Sequence, residues 1–204
     1  MNKYLTIAIP SQAEIKERGS RFIGIAMPFN HEDQLKDKIQ DIQVEYPNAT
    51  HYCFAYRLLS ENGVRERASD DGEPFNSSGP PILRSIESKS LLQILVVVVR
   101  YYGGKKLGVS GLKEAYGMAA REALQSANIL EVKPSFRLWI RPANDLEGYK
   151  VYELLEKNGM TLIEAPTARG GYFLCSAHEE DRNKLEELSK NAYTFDILFK
   201  PPKS

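Results

Sequence analysis

The sequence predicts an α+β protein of two domains. Two periodicities carry that prediction. Alternating apolar residues mark strands in both halves of the chain, and apolar residues three to four apart mark helices between them. The third observation is a complete strand–helix–strand–strand–helix–strand order after Lys133-Pro134-Ser135. It places a join there and divides the chain into residues 1–134 and 135–204, and a length of 204 residues accommodates two such domains.

In the first domain, Ser20 to Phe29 reads as a strand. Asn30 is placed to cap a helix with Leu35, Ile39 and Ile42 on one face, ended before Pro47. Thr50 to Leu59 reads as a strand, and the charged, polar stretch from Ser60 to Gly72 reads as a loop. Ser77 to Ser88 suits a helix with Pro80 and Pro81 in its first turn. Gln93 to Tyr102 reads as a strand. Its run from Ile94 to Val99 lacks alternation, which predicts a central strand buried on both faces. From Val109, the residues Leu112, Ala115, Tyr116, Ala119, Ala123 and Leu124 recur at helical spacing.

In the second domain, Phe136, Leu138 and Ile140 alternate with Arg137, Trp139 and Arg141 as a half-buried strand. Asp145 is placed to cap a helix carrying Tyr149, Tyr152 and Leu155, which Asn158-Gly159 ends. Thr161 to Ile163 and Tyr172 to Ala177 read as strands around a turn at Arg169-Gly170-Gly171. Glu179, Glu180 and Asp181 crowd the start of a second helix, where the macrodipole favours acids, and Leu185 and Leu188 form its apolar side. Tyr193, Phe195, Ile197 and Phe199 alternate as the last strand. This order is that of a ferredoxin-like sandwich.

Composition bounds the function. The 27 basic and 27 acidic side chains cancel, so nucleic-acid binding requires a local patch and not bulk charge. Two cysteines, Cys53 and Cys175, support neither a disulfide framework nor a Cys-rich zinc site. There is no secretory leader pattern, and the Ile94–Val99 run falls far short of the ~20 residues a membrane helix needs. The expectation is a soluble, cytoplasmic protein with no membrane partner.

Two segments carry candidate chemistry. In Ser69-Asp70-Asp71-Gly72-Glu73-Pro74, three carboxylates surround a glycine. They could hold a metal, act as acid and base, or accept hydrogen bonds from basic residues. The EF-hand pattern is absent, and Asp-Gly is also a common turn dipeptide. The second segment runs from Arg100, Tyr101 and Tyr102 through Gly103, Gly104, Lys105, Lys106 and Gly108 to Ser110 and Gly111. It leads from a buried strand through a glycine-rich loop into a helix N-terminus. Such a loop can turn N–H groups towards a phosphate, with Arg100, Lys105 and Lys106 adding charge and the tyrosines stacking faces. The alternative is a glycine turn that lets strand and helix pack closely. The P-loop, GxGxxG, GxSxG and HExxH motifs are all absent.

His51 and Cys53 stand two apart on one side of a strand. With Asp70 or Asp71 they could form a Cys-His-Asp nucleophilic set; equally they could be a packed cysteine and a hydrogen-bonded histidine. His31 and His178 read as surface residues.

In this order and separation, four stretches resemble the IMPACT family, whose bacterial members are the YigZ-like proteins. They are Ser20-Arg21-Phe22-Ile23, His51 through Tyr56, Ser69 through Pro74, and Val97 through Gly104 continuing via Leu107-Gly108 and Gly111-Leu112 to Ala115-Tyr116. One departure stands out. Where the family has Gly-Thr-Ala-Gly, this chain has Asn76-Ser77-Ser78-Gly79, which calls close backbone approach at Asn76 into question and leaves hydroxyl and capping roles to Ser77 or Ser78.

The resemblance implies an N-terminal fold like the second domain of a small-subunit ribosomal protein and a C-terminal domain similar to a late domain of elongation factor G. Eukaryotic relatives regulate translation by competing for the activator of a starvation-responsive kinase. That partner does not carry over to bacterial members, which lack the kinase pathway. The reading is a non-enzymatic protein bound to RNA, the ribosome or the translation machinery, with no cofactor and no metal. Arg100, Lys105, Lys106 and the glycine loop would form the binding face. Asp70, Asp71 and Glu73, with Ser69, Gly72, Ser77 and Tyr116 around them, would be structural and would accept hydrogen bonds from Arg21 or Arg100. The alternatives are a phosphoryl transferase or hydrolase using His51, Cys53, Asp70, Asp71 or Glu73, and a protein-interaction module using the C-terminal sheet.

Overall fold

The computed structural model describes residues 3–60 and 63–202. The chain forms two compact units, one of Tyr4–Val132 and one from Lys133 onward that also takes in Lys3.

The larger unit is built on a five-stranded antiparallel sheet. Its strands are β2 (Ser11–Glu17), β3 (Ser20–Pro28), β4 (His51–Ser60), β5 (Gly63–Ser69) and β6 (Ile94–Tyr101), in the order β2-β3-β6-β4-β5. A short antiparallel pair, β1 (Tyr4–Ile7) with β7 (Ile129–Val132), accompanies it. The helices are α1 (Leu35–Glu45), α2 (Gly79–Glu87) and α3 (Gly108–Gln125).

Strand β6 lies in the middle, and every residue from Ile94 to Val99 is buried. The reason for the unbroken apolar run is visible on the two faces. Ile94, Val96 and Val98 join the core under α2 and α3, while Leu95, Val97 and Val99 pack on the side of α1 with Ile39 and Ile42. Fully burying each such side chain contributes roughly 1.5–3 kcal/mol. Helix α3 approaches the sheet closely because Ala115, Ala119, Ala120 and Ala123 face it. At Gly24 on β3 a Cβ would stand 2.2 Å from the carbonyl oxygen of Ala119.

Two sequence expectations change here. Ser60 to Gly72 is not simply a loop, because Gly63–Ser69 is strand β5, paired in register with β4. An edge strand is wet and charged on both faces, as Arg65, Glu66 and Arg67 are, so no apolar alternation marks it. Asn30 does not cap α1. A 3-10 turn at Glu32–Gln34 intervenes, started from an extended His31, and the helix begins at Leu35.

The smaller unit has strands β8 (Ser135–Pro142), β9 (Thr161–Glu164), β10 (Phe173–His178) and β11 (Phe195–Leu198), with helices α4 (Tyr149–Lys157) and α5 (Arg182–Asn191). Its sheet order, β11-β8-β10-β9, all antiparallel, is the ferredoxin-like arrangement. Phe136, Leu138 and Ile140 face the helices with Val151, Leu155 and Leu185. The cap before α4 is Asn144 and not Asp145: its side-chain oxygen accepts the N–H of Leu146 at 3.1 Å, opening a 3-10 turn over Asp145–Glu147. His178 is half-buried, and its Nδ1 finds no partner among the described residues.

Candidate functional site

The acidic segment connects β5 to α2, and its first carboxylate serves the helix. Asp70 Oδ1 accepts the N–H groups of Ser78 and Gly79, each at 2.9 Å, and the Ser78 hydroxyl at 2.7 Å. Asp70 Oδ2 accepts the N–H of Asn76 at 2.8 Å. A carboxylate here meets the free donors and the positive end of α2. Burial works to raise the Asp70 pKa. The bonds from the Ser78 hydroxyl and the Gly79, Ser78 and Asn76 N–H groups outweigh it and hold the carboxyl below the ordinary aspartate value.

The turn around Asp70 is tight. Asp71, Gly72 and Asn76 adopt φ of +45°, +82° and +57°. Asparagine tolerates that left-handed conformation better than most side chains, so Asn76 takes the place where the family pattern has glycine. The close approach is instead at Gly79, where a Cβ would lie 2.7 Å from the Ser69 nitrogen. Ser69 Oγ accepts the Asp71 N–H at 3.4 Å.

Asp71 is exposed, and its Oδ2 accepts the Tyr52 N–H at 2.7 Å. Its carbonyl oxygen lies 2.7 Å from His51 Nδ1. A carbonyl only accepts, so Nδ1 donates this bond, and the other ring nitrogen is Nε2. That Nε2 lies 3.8 Å from Glu73 Oε1.

Glu73 is buried and anchors a polar cluster. Its Oε1 accepts Arg100 Nη1 at 2.5 Å and the Tyr116 hydroxyl at 2.7 Å. The Arg100 guanidinium also stacks between Phe22 and Tyr102, 5.4 and 5.3 Å from their ring centroids. Strand β6 thus delivers Arg100, helix α3 delivers Tyr116, and the acidic loop delivers Glu73 to one point. Burial pushes the Tyr116 phenol well above its ordinary range, with the Cys53 thiol and the Glu73 carboxylate beside it adding to the shift. The buried Ser77 Oγ and Arg100 Nε have no partner among the described residues.

Several sequence expectations are corrected by this geometry. Arg21 does not reach the acidic loop; it makes a two-pronged bond with Glu14 across the β2–β3 pair, at 2.8 and 3.1 Å. The expected bond from an arginine to the acidic loop is made by Arg100 to Glu73, and this pairing in the interior takes Arg100 out of the expected binding face. His51, Cys53, Asp70 and Asp71 do converge, but not as a charge-linked nucleophilic set. Cys53 is fully buried, its Sγ donates to the Asp70 carbonyl at 3.0 Å, and burial raises its pKa to about 12. The thiolate that nucleophilic attack requires is therefore strongly disfavoured. Among the described residues no group of three or more His, Cys, Asp or Glu side chains is arranged to hold a metal.

The glycine loop leaves β6 at Tyr101 and enters α3 at Gly108. Two residues outside the glycine segment fix its start. Thr50 Oγ1 accepts the Tyr102 N–H at 3.0 Å, and Ser20 Oγ accepts the Gly103 N–H at 3.1 Å. Short polar side chains at strand ends carry little sequence signal, which is why neither Thr50 nor Ser20 reads as a partner of this loop. The Tyr101 hydroxyl is tied to the Pro47 carbonyl. Gly103 packs backbone to backbone, since a Cβ there would lie 1.9 Å from the Gly19 carbonyl group.

Beyond Gly103 the loop opens. Gly104, Lys105, Lys106 and Gly108 are exposed, and Gly104 and Gly108 have φ of +84° and +73°. Helix α3 has no side-chain cap on its first N–H groups. Ser110 and Gly111 line a cavity of about 370 Å³ whose far wall is the β2–β3 turn, with Lys16 and Arg18.

Among the described residues, no helix is long and apolar enough to cross a membrane. Residues 18–124, more than half of the 204, match the family described as "Impact N-terminal domain". The chain is 37% identical over 133 residues to the IMPACT family member YvyE of Bacillus subtilis, covering 65% of this chain and 61% of that one. It is 44% identical over 108 residues to an IMPACT family member of Thermus thermophilus, covering 53% and 56%. The matched part thus spans about six tenths of the length of these relatives. A crystal structure described as a hypothetical protein aligns over 100% of both chains, with a TM-score of 0.71 and 26% identity. The strands and loops that form this site lie inside the matched region, and the chain belongs to the IMPACT family.

Proposed function

We propose that the chain is a non-enzymatic binding protein of the translation machinery that takes the phosphate backbone of RNA, free or in the ribosome, on the loop from Tyr102 to Gly111. One observation carries this reading. The N–H groups of Gly104 to Leu107 have no acceptor among the described residues, and they lie with exposed Lys105 and Lys106 at the uncapped start of an 18-residue helix. Left-handed Gly104 and Gly108 shape the loop so that several donors can converge on one anion. Tyr102, 45% exposed and backed by Arg100, offers a face on which a base can stack. Arg100 therefore acts through Tyr102 and not as a phosphate ligand.

The test is co-sedimentation with ribosomes and anisotropy of a labelled polyuridine at several salt concentrations. Lys105→Ala with Lys106→Ala is expected to weaken binding without sequence preference and to reduce the salt slope by about one to two units. Salt-independent binding, or a double variant that binds as the parent does, refutes the reading.

A second reading follows from the unpartnered Ser77 Oγ and Arg100 Nε beside His51 and Glu73. They are the polar lining a small ligand would use, and this would make the cluster a small-molecule site. A ligand shift that depends on magnesium, abolished by Ser77→Ala and untouched by the lysine changes, would favour it.

A further inference from the structure

Helix α3 presents two stripes to surface clefts. Ser110, Glu114 and Met118 line the cavity next to the β2–β3 turn. Lys113, Gly117 and Arg121, spaced by four and so on one face, line a separate cleft of about 160 Å³ against α2, which contributes Arg84, Ser85 and Ser88. The two stripes differ in charge. The second carries Lys113 and Arg121, and with Arg84 from α2 its cleft holds three cations and no carboxylate. Among the described residues none of the side chains of Arg84, Lys113 and Arg121 makes an ion pair or hydrogen bond.

The cleft is rigidly floored. The buried Ser85 hydroxyl lies 3.0 Å from the Pro81 carbonyl oxygen on its own helix and 3.2 Å from the Gly117 carbonyl oxygen on α3, so a single donor ties the two helices together. Gly117 has no side chain to fill the space, and the Arg121 Nη1 atom lies 3.0 Å from where a Cβ would be. Three like charges around one groove repel one another, and none of the three is neutralised by an ion pair among the described residues.

We propose that this α2–α3 groove is a second phosphate contact, holding the RNA backbone as it continues from the glycine loop. The inference rests on the loop reading above. Lys105 and Lys106 lead into the same end of α3 that Lys113 occupies, and Lys113 and Arg121 lie about 12 Å apart along the axis. The cations therefore form a track and not a point. Two of the three are arginines, whose planar forks match pairs of phosphate oxygens. An acidic peptide would be expected to anchor an apolar side chain as well, and here only Pro81 offers apolar surface.

The experiment compares three full-length proteins by anisotropy with labelled polyuridine across a salt series. They are the parent, the loop variant Lys105→Ala/Lys106→Ala, and the groove variant Arg84→Ala/Lys113→Ala/Arg121→Ala. All three groove positions are exposed, so circular dichroism and melting temperature of that variant should match the parent. The groove variant is expected to lose about two units of salt slope and at least about tenfold in affinity, separately from the loss in the loop variant. A groove variant that binds like the parent while the loop variant fails overturns the groove and leaves the loop reading standing. A parent that does not bind polyuridine overturns both. Polyglutamate displacing polyuridine charge for charge from the parent, but not from the groove variant, shows a site for acidic protein and overturns the assignment to RNA.

Discussion

Asp70 and Glu73 sit three residues apart and hold the site together in different ways. Asp70 is a remote cap: it leaves the chain eight residues before Ser78 yet closes the donor end of α2. Its depressed pKa makes this a pH-dependent contribution. Stability from a lowered carboxyl pKa is fully present above the unfolded value and is lost as pH falls through the folded one. Asp70→Asn is therefore expected to cost about 1–2 kcal/mol at neutral pH. The gap in melting temperature between parent and variant should close as pH falls below about 4. A gap that stays constant down to pH 3 would refute the capping role.

Glu73 is the partner of a buried charge. Glu73→Gln leaves Arg100 inside the protein without its counter-ion, and the expected loss is about 3–5 kcal/mol in denaturant unfolding. Exposed Asp71, whose carboxylate accepts the Tyr52 N–H, should cost clearly less when changed to Asn.

At the scale of elements, the glycine loop divides into a packed half and an open half. Gly103 is fixed by the approach of the β2–β3 turn, whereas nothing lies within 4 Å of a Cβ at Gly104. Gly103→Ala must push two backbones apart and is expected to cost about 1–3 kcal/mol. Gly104→Ala strains only its own left-handed conformation, at about 1 kcal/mol. Melting temperatures should therefore order parent, Gly104→Ala, Gly103→Ala from highest to lowest. RNA binding should suffer in the Gly104 variant beyond what its stability loss explains. The reverse order of stability would show that the two halves have been assigned the wrong way round.

For the whole molecule, each unit has its own apolar core, and the chain passes from one to the other at Val132–Lys133. The core of the smaller unit draws on both helices and on strands β8, β10 and β11, so it is complete without the rest of the chain. A fragment of residues 133–204 is expected to fold by itself, with a mixed α/β circular dichroism spectrum and a cooperative thermal transition. A random-coil spectrum would mean that this core depends on the larger unit. The balanced net charge gives the molecule no general attraction to nucleic acid, so nucleic-acid binding requires a local patch of cations.

Periodicity alone was enough for whatever is buried in a regular pattern. The run Ile94–Val99 announced a strand covered on both faces, and the alternation from Phe136 to Arg141 announced one covered on a single face, because burial leaves its mark residue by residue. The motif residues of the acidic and glycine segments were equally visible as types at a spacing. Their partners were not. Whether Arg100 meets a ligand or Glu73, and whether Asp70 binds an arginine or the start of α2, depends on which elements the fold brings together across dozens of residues. Strand β5 escaped for the opposite reason: an edge strand is defined by its neighbour β4 and carries no apolar signature of its own. The groove cations Arg84, Lys113 and Arg121 are unremarkable surface residues in sequence, and only the packing of α2 on α3 gathers them into one charged cleft.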